Sequence, residues 1–351
     1  MLLVVSNIAK WSNSIKKLFE PILPCGWRVA FHPGAYARNG SDGRLTLQPP
    51  SGPGAQFALA LKSRFEPRDI DQFLNQRYQK PDVNWLLVAP FLSPRSRELL
   101  KERQISYADF VGNVWLSGGS VLVDRSVAPE KGAVREAESR PRKSLRGPIT
   151  ARVIRLLCDK LGPLKVREIA TIAHAHAGNV SRILDYLERE RLIIRTARGG
   201  VSEVEWEPLL RRWAVDLAKE RYSEAFLEPR GLGALVRRLA ELDAAYAVTG
   251  PYAAGQLAMV APPVAIDVYV RDIGSAFEAL KLHRSERVGN VRLVYAFDDV
   301  VFERTMERHG VILACPSQVA ADLLTMPKRS QEEYRALIEW MRENERLWRT
   351  P

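Results

Sequence analysis

The first part of the chain alternates short apolar runs with amphipathic stretches. Runs such as "GWRVAFHP", "QFALALK" and "NWLLVAP" have the length and β-branched or aromatic content of strands, whereas "SPRSRELLKERQ" has helical spacing. Strands that alternate with helices predict an α/β domain built on a central sheet. We therefore predict one such domain over residues 1–128.

A polar segment, residues 129–146, separates this domain from the rest. It contains proline, glycine and many charges but has no apolar periodicity, which predicts an exposed linker. Arg142, Lys143 and Arg146 lie at its end and form a basic arm suited to phosphate contacts.

The second block, residues 147–206, carries three helical patterns and a hairpin. Val180, Ile183, Leu184 and Leu187 recur at helical spacing in "NVSRILDYLERE", which predicts that they point inward on the third helix. The strands "LIIRT" and "VSEVEW" flank the glycine-containing tip "ARGG". This order of elements predicts a winged helix-turn-helix.

The remainder is predicted as a connecting segment and a third domain. Residues 207–228 contain an amphipathic pattern from Pro208 to Phe226, which predicts one long helix. Residues 229–351 mix strands such as "VAIDVYV" and "VRLVYAF" with helices, which predicts a second α/β domain. The expected fold class is therefore α/β multidomain.

The outward residues of the third helix fit a role in reading DNA. A helix fits the major groove, and the residues near its N-terminus reach base edges. Here those residues are Asn179, Ser181 and Arg182. On the wing, Arg195 and Arg198 supply positive charge and Gly199 allows a tight tip. The acidic residues of the same helix, Asp185, Glu188 and Glu190, would repel phosphate unless they point away.

Composition agrees with a polyanion partner but does not identify it. The net charge is +11 and the pI is about 9.7, which favours encounter with nucleic acid. The three cysteines are odd in number and far apart, which argues against disulfides and against a zinc site. We expect all three to be buried core thiols. His174 and His176 are interpreted as polar turn residues, and no cofactor or metal is expected.

Targeting and membrane signals are not apparent. No apolar run approaches the roughly 18 residues of a transmembrane helix. "MLLVVSNIAK" is short and lacks the basic start of a signal peptide. We expect a cytoplasmic protein without a membrane partner.

The first domain resembles a restriction-endonuclease-type fold that has lost part of its chemistry. Such nucleases place an acid, one residue and a lysine at the end of a strand, and a second acid nearby, to hold Mg²⁺ and activate water. Here the triplet is Ala60-Leu61-Lys62, with Asp42 as the other acid. Glu20, Glu66 and Asp69 are the candidates for a displaced acid, although Glu66 and Asp69 also suit a helix N-terminus.

The third domain resembles a nucleotidyltransferase in a similarly incomplete form. "VTGPYAAGQLAMVAPPVAIDVYV" is similar to a Gly-Ser turn followed by an Asp-x-Asp strand. Gly250 and Asp267 match that pattern, but Pro251 replaces the serine and Tyr269 replaces the second acid. One carboxylate does not suffice for two metals, so we expect a degenerate, non-catalytic domain, with an unrelated α/β domain as the alternative.

Taken as a whole, the chain resembles AbiEi-type antitoxins of type IV toxin-antitoxin systems. The stretches that carry the resemblance include "GPITARVIRLLCDKLGPLKVREIATIAHAHAGNVSRILDYLERERLIIR", "SQVAADLLTMPKRSQEEYRALIEWM" and the N-terminal "YADFVGNVWL" turn with Tyr107, Asp109, Gly112 and Asn113. The resemblance implies a DNA-binding transcriptional regulator and a nucleotidyltransferase-like toxin as partner. Double-stranded DNA is the expected ligand, and a homodimer is a candidate assembly.

Two other functions remain open at this point. The first is a Mg²⁺-dependent nuclease guided by the winged helix, which requires a displaced acid near Lys62. The second is a protein-interaction adaptor whose positive charge is incidental. The main prediction is a sequence-specific DNA-binding regulator that is not an enzyme.

Overall fold

The structure, a computed structural model, describes residues 11, 14–34, 41–78, 83–118, 121–127, 144–219, 221–284, 289–326 and 330–351. The chain has a mixed α/β architecture and divides into two compact units, residues 1–141 and 142–351. Within the described ranges, no helix combines the length and the apolar character needed to cross a bilayer.

The N-terminal unit is a single seven-stranded sheet whose strands follow one another in chain order. The strand pairs β3–β4 and β4–β5 are parallel, and the other neighbouring strands pair antiparallel. Its elements are α1 (residues 14–19), β1 (Arg28–Pro33), β2 (Gly43–Gln48), β3 (Ala55–Leu61), α2 (Ile70–Tyr78), β4 (Trp85–Ala89), α3 (Pro94–Glu102), β5 (Ser106–Asp109), β6 (Val114–Gly118) and β7 (Val121–Arg125).

The two faces of this sheet bury separate apolar clusters. In β3, Phe57 and Leu59 belong to one cluster, whereas Ala60 belongs to the other. Helices α2 and α3, which make the crossovers between the parallel strands, cover the face with Ala60, whereas α1 covers the other face with Ile15 and Phe19. The period of two in β3 therefore puts Ala60 and Lys62 on the same side of the sheet.

The predicted winged helix-turn-helix elements are present at the start of the C-terminal unit. They are α4 (Pro148–Asp159), α5 (Val166–Ile172), α6 (Ala177–Arg189), β8 (Ile193–Arg195) and β9 (Val201–Val204). The side chains of Val180, Ile183, Leu184 and Leu187 are fully buried, which confirms the predicted phase of α6. Leu164 and Val201 exchange two backbone hydrogen bonds of 2.8 Å, which tie the base of the wing to the segment before α5.

A second seven-stranded sheet follows, in the order β13-β10-β14-β12-β11-β16-β15. Strands β12 and β14 are parallel, and β11 and β12 are antiparallel. The elements are α7 (Trp206–Leu217), β10 (Ser223–Leu227), α8 (Leu232–Ala240), β11 (Tyr246–Thr249), α9 (Gly250–Gly255), β12 (Ile266–Val270), α10 (Ile273–Ala279), β13 (His283–Arg284), β14 (Val291–Tyr295), β15 (Met306–Arg308), β16 (Val311–Leu313), α11 (Pro316–Thr325), α12 (Gln331–Glu343) and α13 (Glu345–Trp348).

The single long helix predicted from Pro208 to Phe226 was wrong. Helix α7 ends at Leu217, the last of the residues that bury its apolar face. Ser223–Leu227 is instead strand β10, which pairs with β14 and β13. The pairing with β14 provides backbone partners that a helical pattern alone does not reveal. Residues 207–228 therefore combine a helix with a strand of the C-terminal sheet.

Helices α4 to α6 and the C-terminal sheet share one apolar core. The fully buried Arg155 of α4 donates to Asp159 Oδ2 (3.1 Å) and to Gln318 Oε1 (3.0 Å). It also donates to the carbonyl oxygens of Val300 (3.1 Å) and Glu303 (3.2 Å). Burial opposes its charge, but Asp159 more than offsets that effect and raises the pKa of Arg155 above its ordinary value. This contact fixes α4 to the C-terminal elements.

Two smaller expectations also need correction. The stretch predicted as a turn, residues 107–116, has its turn only at residues 110–113, because its two ends belong to strands β5 and β6. Cys158 and Cys315 are buried as expected, but Cys25 is exposed. Cys25 lies in the turn that precedes β1, where its apolar neighbours in sequence do not enclose it.

Candidate nucleic-acid interface

Helix α6 presents its N-terminal half outward. Asn179 and Ser181 are partly exposed and Arg182 is exposed, while the buried residues of the helix occupy the opposite face. Arg182 Nη1 lies 3.5 Å from Asn179 Oδ1, so the two side chains are neighbours on one turn. Arginine and asparagine are the side chains best suited to guanine and adenine edges. This half of α6 can therefore read base pairs if it enters a major groove.

The wing tip is a tight turn over residues 196–200. Gly199 N donates to Thr196 O (2.8 Å), and Thr196 N donates to Gly200 O (2.8 Å). Gly199 has φ +82°, a backbone conformation that side chains with a Cβ rarely adopt. Arg198 is exposed within this turn, as expected for a phosphate contact.

Arg195 is engaged inside the protein. Its Nε and Nη2 donate to Gly199 O at 3.0 and 2.8 Å, and its Nη1 pairs with Asp185. Glu188 Oε2 lies 3.8 Å from the same Nη1. The positive charge of Arg195 thus partly neutralises Asp185 and Glu188, two acids of α6 that would repel phosphate. The sequence did not predict this ion pair.

The basic arm is described only at its end. Arg142 and Lys143 lie outside the described residues. Arg146 is half-exposed, with its Nε 3.9 Å from Asp216 Oδ1, and Leu145 N donates to Asp216 Oδ2 (2.7 Å). Asp216 therefore anchors the point where the arm enters α4.

Asp216 also connects the arm to helix α6. Arg212 Nη1 donates to Asp216 Oδ2 (3.1 Å), and Arg212 Nε donates to the hydroxyl of Tyr186 on α6 (2.9 Å). Burial raises the pKa of Tyr186, so the hydroxyl stays protonated near neutral pH. Neither Asp216 nor Arg212 was a candidate in the sequence, because both pair across elements that are distant along the chain.

His174 and His176 lie on the turn before α6. Both are exposed, and His174 adopts φ +48° in the left-handed region. Across the described residues, no group of three or more His, Cys, Asp or Glu side chains is arranged to hold a metal ion.

In the N-terminal unit, Asp42 lies beside the strand end that carries Lys62. Leu61 N donates to Asp42 Oδ2 (2.7 Å), and Asp42 N donates to Leu59 O (2.8 Å). Position 60, on the same side of the sheet as Lys62, is a buried alanine. Asp42 therefore contacts the backbone one residue before Lys62, and position 60 offers a methyl group where the predicted nuclease chemistry would need a second carboxylate.

The candidates for a displaced acid have local structural roles. Glu66 N donates to Asp69 Oδ2 (2.8 Å) at the start of the 3-10 turn Pro67–Asp69, and Glu66 pairs with Arg68 (2.9 Å). These contacts confirm that the two acids stabilise a helix N-terminus. Glu20 is exposed in the turn after α1.

The "YADFVGNVWL" stretch is held together by a buried carboxylate. Asp109 accepts hydrogen bonds from Asn113 N (3.0 Å), from Asn113 Nδ2 (2.9 and 3.1 Å) and from Leu92 N (3.2 Å). Arg97 Nη1 donates to Asn113 Oδ1 (2.6 Å). Burial raises the pKa of Asp109, and the hydrogen bonds from Asn113 oppose that rise. Asp109 and Asn113 of this stretch therefore hold the β5–β6 turn closed.

The C-terminal sheet holds the acid predicted at Asp267. Gly250 adopts φ +68° after β11, and a Cβ at that position would lie 3.4 Å from Asp267 Oδ2. Arg221 Nη2 donates to Asp267 Oδ2 (2.8 Å), and Arg292 Nε lies 3.3 Å from Oδ1. Burial raises the pKa of Asp267, and these two arginines oppose the rise. The carboxylate is compensated by the protein's own cations.

Tyr269, two residues after Asp267 on β12, is a hydrogen-bond donor. Its hydroxyl donates to Asp322 Oδ1 (2.8 Å), and Thr249 Oγ1 donates to Asp322 Oδ2 (2.6 Å). Burial raises the pKa of Tyr269 well above its ordinary value, so it remains a neutral phenol. Tyr269 and Asp322 thus form a buried structural contact beside Asp267.

Comparisons of the chain with protein-family models, with curated proteins and with solved structures find no significant match in any of the three. The functional interpretation therefore depends on the geometry. That geometry places Arg182 beside Asn179 on α6 and joins Arg195 to Gly199 in the wing. Ser181 lies two positions from Asn179 and is partly exposed, and Arg198 is exposed at the wing tip.

Proposed function

We propose that this protein is a sequence-specific DNA-binding regulator of the AbiEi antitoxin type and that it is not an enzyme. The observation that carries the proposal is the exposed N-terminal half of α6, where Arg182 and Asn179 lie side by side next to a glycine-tipped wing. A helix followed by a wing is a common means of reading a major groove. The net charge of +11 supports a polyanionic ligand.

The contacts between α6 and the rest of the unit hold the helix in one position, which favours recognition of bases by its exposed side chains. Its inner face is packed through Leu184 and Leu187, and its hydroxyl-bearing Tyr186 is held by Arg212. Base recognition requires side chains placed with little freedom, because each misplaced donor loses its hydrogen bond. A rigidly attached helix meets that requirement.

We further propose that the N-terminal unit is a restriction-endonuclease-like domain and that the C-terminal sheet is nucleotidyltransferase-like, both without catalysis. The contact between Asp42 and Leu61 beside Lys62 supports the first proposal. The approach of Gly250 to Asp267 supports the second. A nucleotidyltransferase-like toxin and a second copy of this chain are the protein partners that this proposal includes.

Enrichment of DNA from a random duplex library tests the function. We expect the full chain to retain a defined sequence motif and to leave supercoiled plasmid intact with Mg²⁺ or Mn²⁺. Retention without a motif would contradict sequence-specific reading, and no retention at all would favour the adaptor. Cleavage that disappears in Lys62→Ala would favour the nuclease instead.

A further inference from the structure

The guanidinium of Arg195 is the least exposed charge of the wing. Its side chain is 16% exposed, whereas those of its partners Asp185 and Glu188 are 54% and 51% exposed. Arg195 is therefore more enclosed than the two acids that lie beside it. A phosphate that approached Arg195 would be repelled by these exposed carboxylates.

The contacts of Arg195 join three pieces of backbone. Arg195 ends β8, its Nε and Nη2 hold Gly199 O in the wing tip, and its Nη1 holds Asp185 on α6. A Cβ at position 199 would lie 3.3 Å from Arg195 Nη2, so glycine also permits this close approach. The wing tip, which carries Arg198, is thereby fixed to the recognition helix.

We propose that Arg195 is a positioning residue of the DNA interface: it fixes the wing tip against α6 and cancels the charge of Asp185, without contacting phosphate itself. This inference rests on the proposed function. Arg198 is then the wing residue that meets the DNA backbone, and its contribution depends on Arg195. Asp185 of α6 then helps to hold the wing in place through its ion pair with Arg195.

The guanidinium of arginine has several nitrogen donors in one plane, whereas lysine has one nitrogen. Two of the arginine donors converge here on one carbonyl oxygen while a third reaches a carboxylate. Lysine keeps the charge but has a single donor atom. Arg195→Lys therefore separates a requirement for charge from a requirement for geometry.

The test begins with the protein free of DNA. We expect Arg195→Lys to accelerate amide hydrogen exchange at Gly199 and Gly200, because the wing tip is released. Asp185→Asn should accelerate the same amides from the other side of the contact, and it serves as the second variant if Arg195→Lys folds poorly. Unchanged exchange in both variants would overturn the positioning role.

Salt titrations on the enriched duplex and on a scrambled duplex complete the test. In the wild type, Arg198→Ala should lower the slope of log K against log salt by about 0.9, the value for one phosphate contact. In the Arg195→Lys background, Arg198→Ala should change the slope little, because the wing is no longer held. The Arg195→Lys variant should itself bind about tenfold more weakly, the scale of one lost charge-assisted contact.

Two results would overturn the inference. Wild-type affinity in Arg195→Lys would mean that charge alone is required. Independent, additive losses from Arg195→Lys and Arg198→Ala would make Arg195 a separate phosphate contact. If the wild type binds no duplex, the proposed function fails, and the exchange experiment alone decides whether Arg195 holds the wing.

Discussion

The two sheets of the molecule each carry one of the acids predicted from the sequence, Asp42 and Asp267, but they differ in what surrounds that acid. Asp42 of the N-terminal unit is partly exposed and accepts a backbone hydrogen bond from Leu61. Asp267 of the C-terminal unit is buried between Arg221 and Arg292. One predicted acid thus remains partly open to solvent, whereas the other forms a buried ion pair.

The difference has a physical basis in burial. A buried carboxylate without a compensating charge costs several kcal/mol, so it needs cations close by. Arg221 and Arg292 provide them for Asp267. Asp42 keeps contact with solvent, so the hydrogen bond from Leu61 N is enough to stabilise it. The two acids are therefore stabilised by different means, one by solvent and a backbone hydrogen bond and the other by arginines.

The largest effect is expected from removing a cation at Asp267. Arg221→Ala should lower the free energy of unfolding of the C-terminal unit by about 3–5 kcal/mol, because it leaves a buried charge poorly compensated. Asp42→Asn should cost the N-terminal unit only about 0.5–1.5 kcal/mol. Calorimetry of the full chain measures both. Losses of similar size in the two variants would contradict the comparison.

A metal-binding experiment sharpens the same comparison. We expect Mn²⁺ to stabilise Ala60→Glu, because the new carboxylate would lie beside Asp42, by about 2.7 kcal/mol at a hundredfold excess over the dissociation constant. The control Asp42→Asn/Ala60→Glu should not respond. Tyr269→Asp should not respond either, because Arg221 and Arg292 already hold Asp267. A Mn²⁺ response in Tyr269→Asp would mean that the arginines are displaced easily.

The cysteines provide a test that leaves the stability of both units unchanged. Cys25 of the N-terminal unit is exposed, whereas Cys158 and Cys315 of the C-terminal unit are buried. Burial raises the pKa of Cys315 to about 11, so little thiolate is present near neutral pH, and the fraction rises only as the pH approaches that value. A thiol reagent should modify one cysteine in the native protein and all three after unfolding. Rapid native labelling of Cys158 or Cys315 would contradict the described core.

Local patterns predicted much of the fold because they report burial directly. The spacing of Val180, Ile183, Leu184 and Leu187 fixed the phase of α6, and the structure buries all four. Strand β10 escaped prediction because its helix-compatible sequence becomes a strand only by pairing with β14, far along the chain. Periodicity does not contain that information.

The candidate interface was predictable in position but not in its internal contacts. Arg195 and Arg198 look alike in sequence, and both were expected to contact DNA. Only the folded chain reveals that Arg195 holds Asp185 and Gly199 while Arg198 remains exposed. Similarly, the sequence indicates only that Arg155 is a polar residue of a helix. Its partner Gln318 lies more than a hundred positions away along the chain.

The most direct test of the account is a salt titration of Arg182→Ala and Arg198→Ala on the enriched duplex and on a scrambled duplex. If Arg182 reads a base, its loss should cost about 1–3 kcal/mol on the enriched duplex and little on the scrambled one. Arg198→Ala should weaken both duplexes alike and lower the salt slope by about 0.9. Equal losses for Arg182→Ala on both duplexes would reduce that residue to a backbone contact. No loss for either variant would contradict the proposal that the winged helix binds DNA.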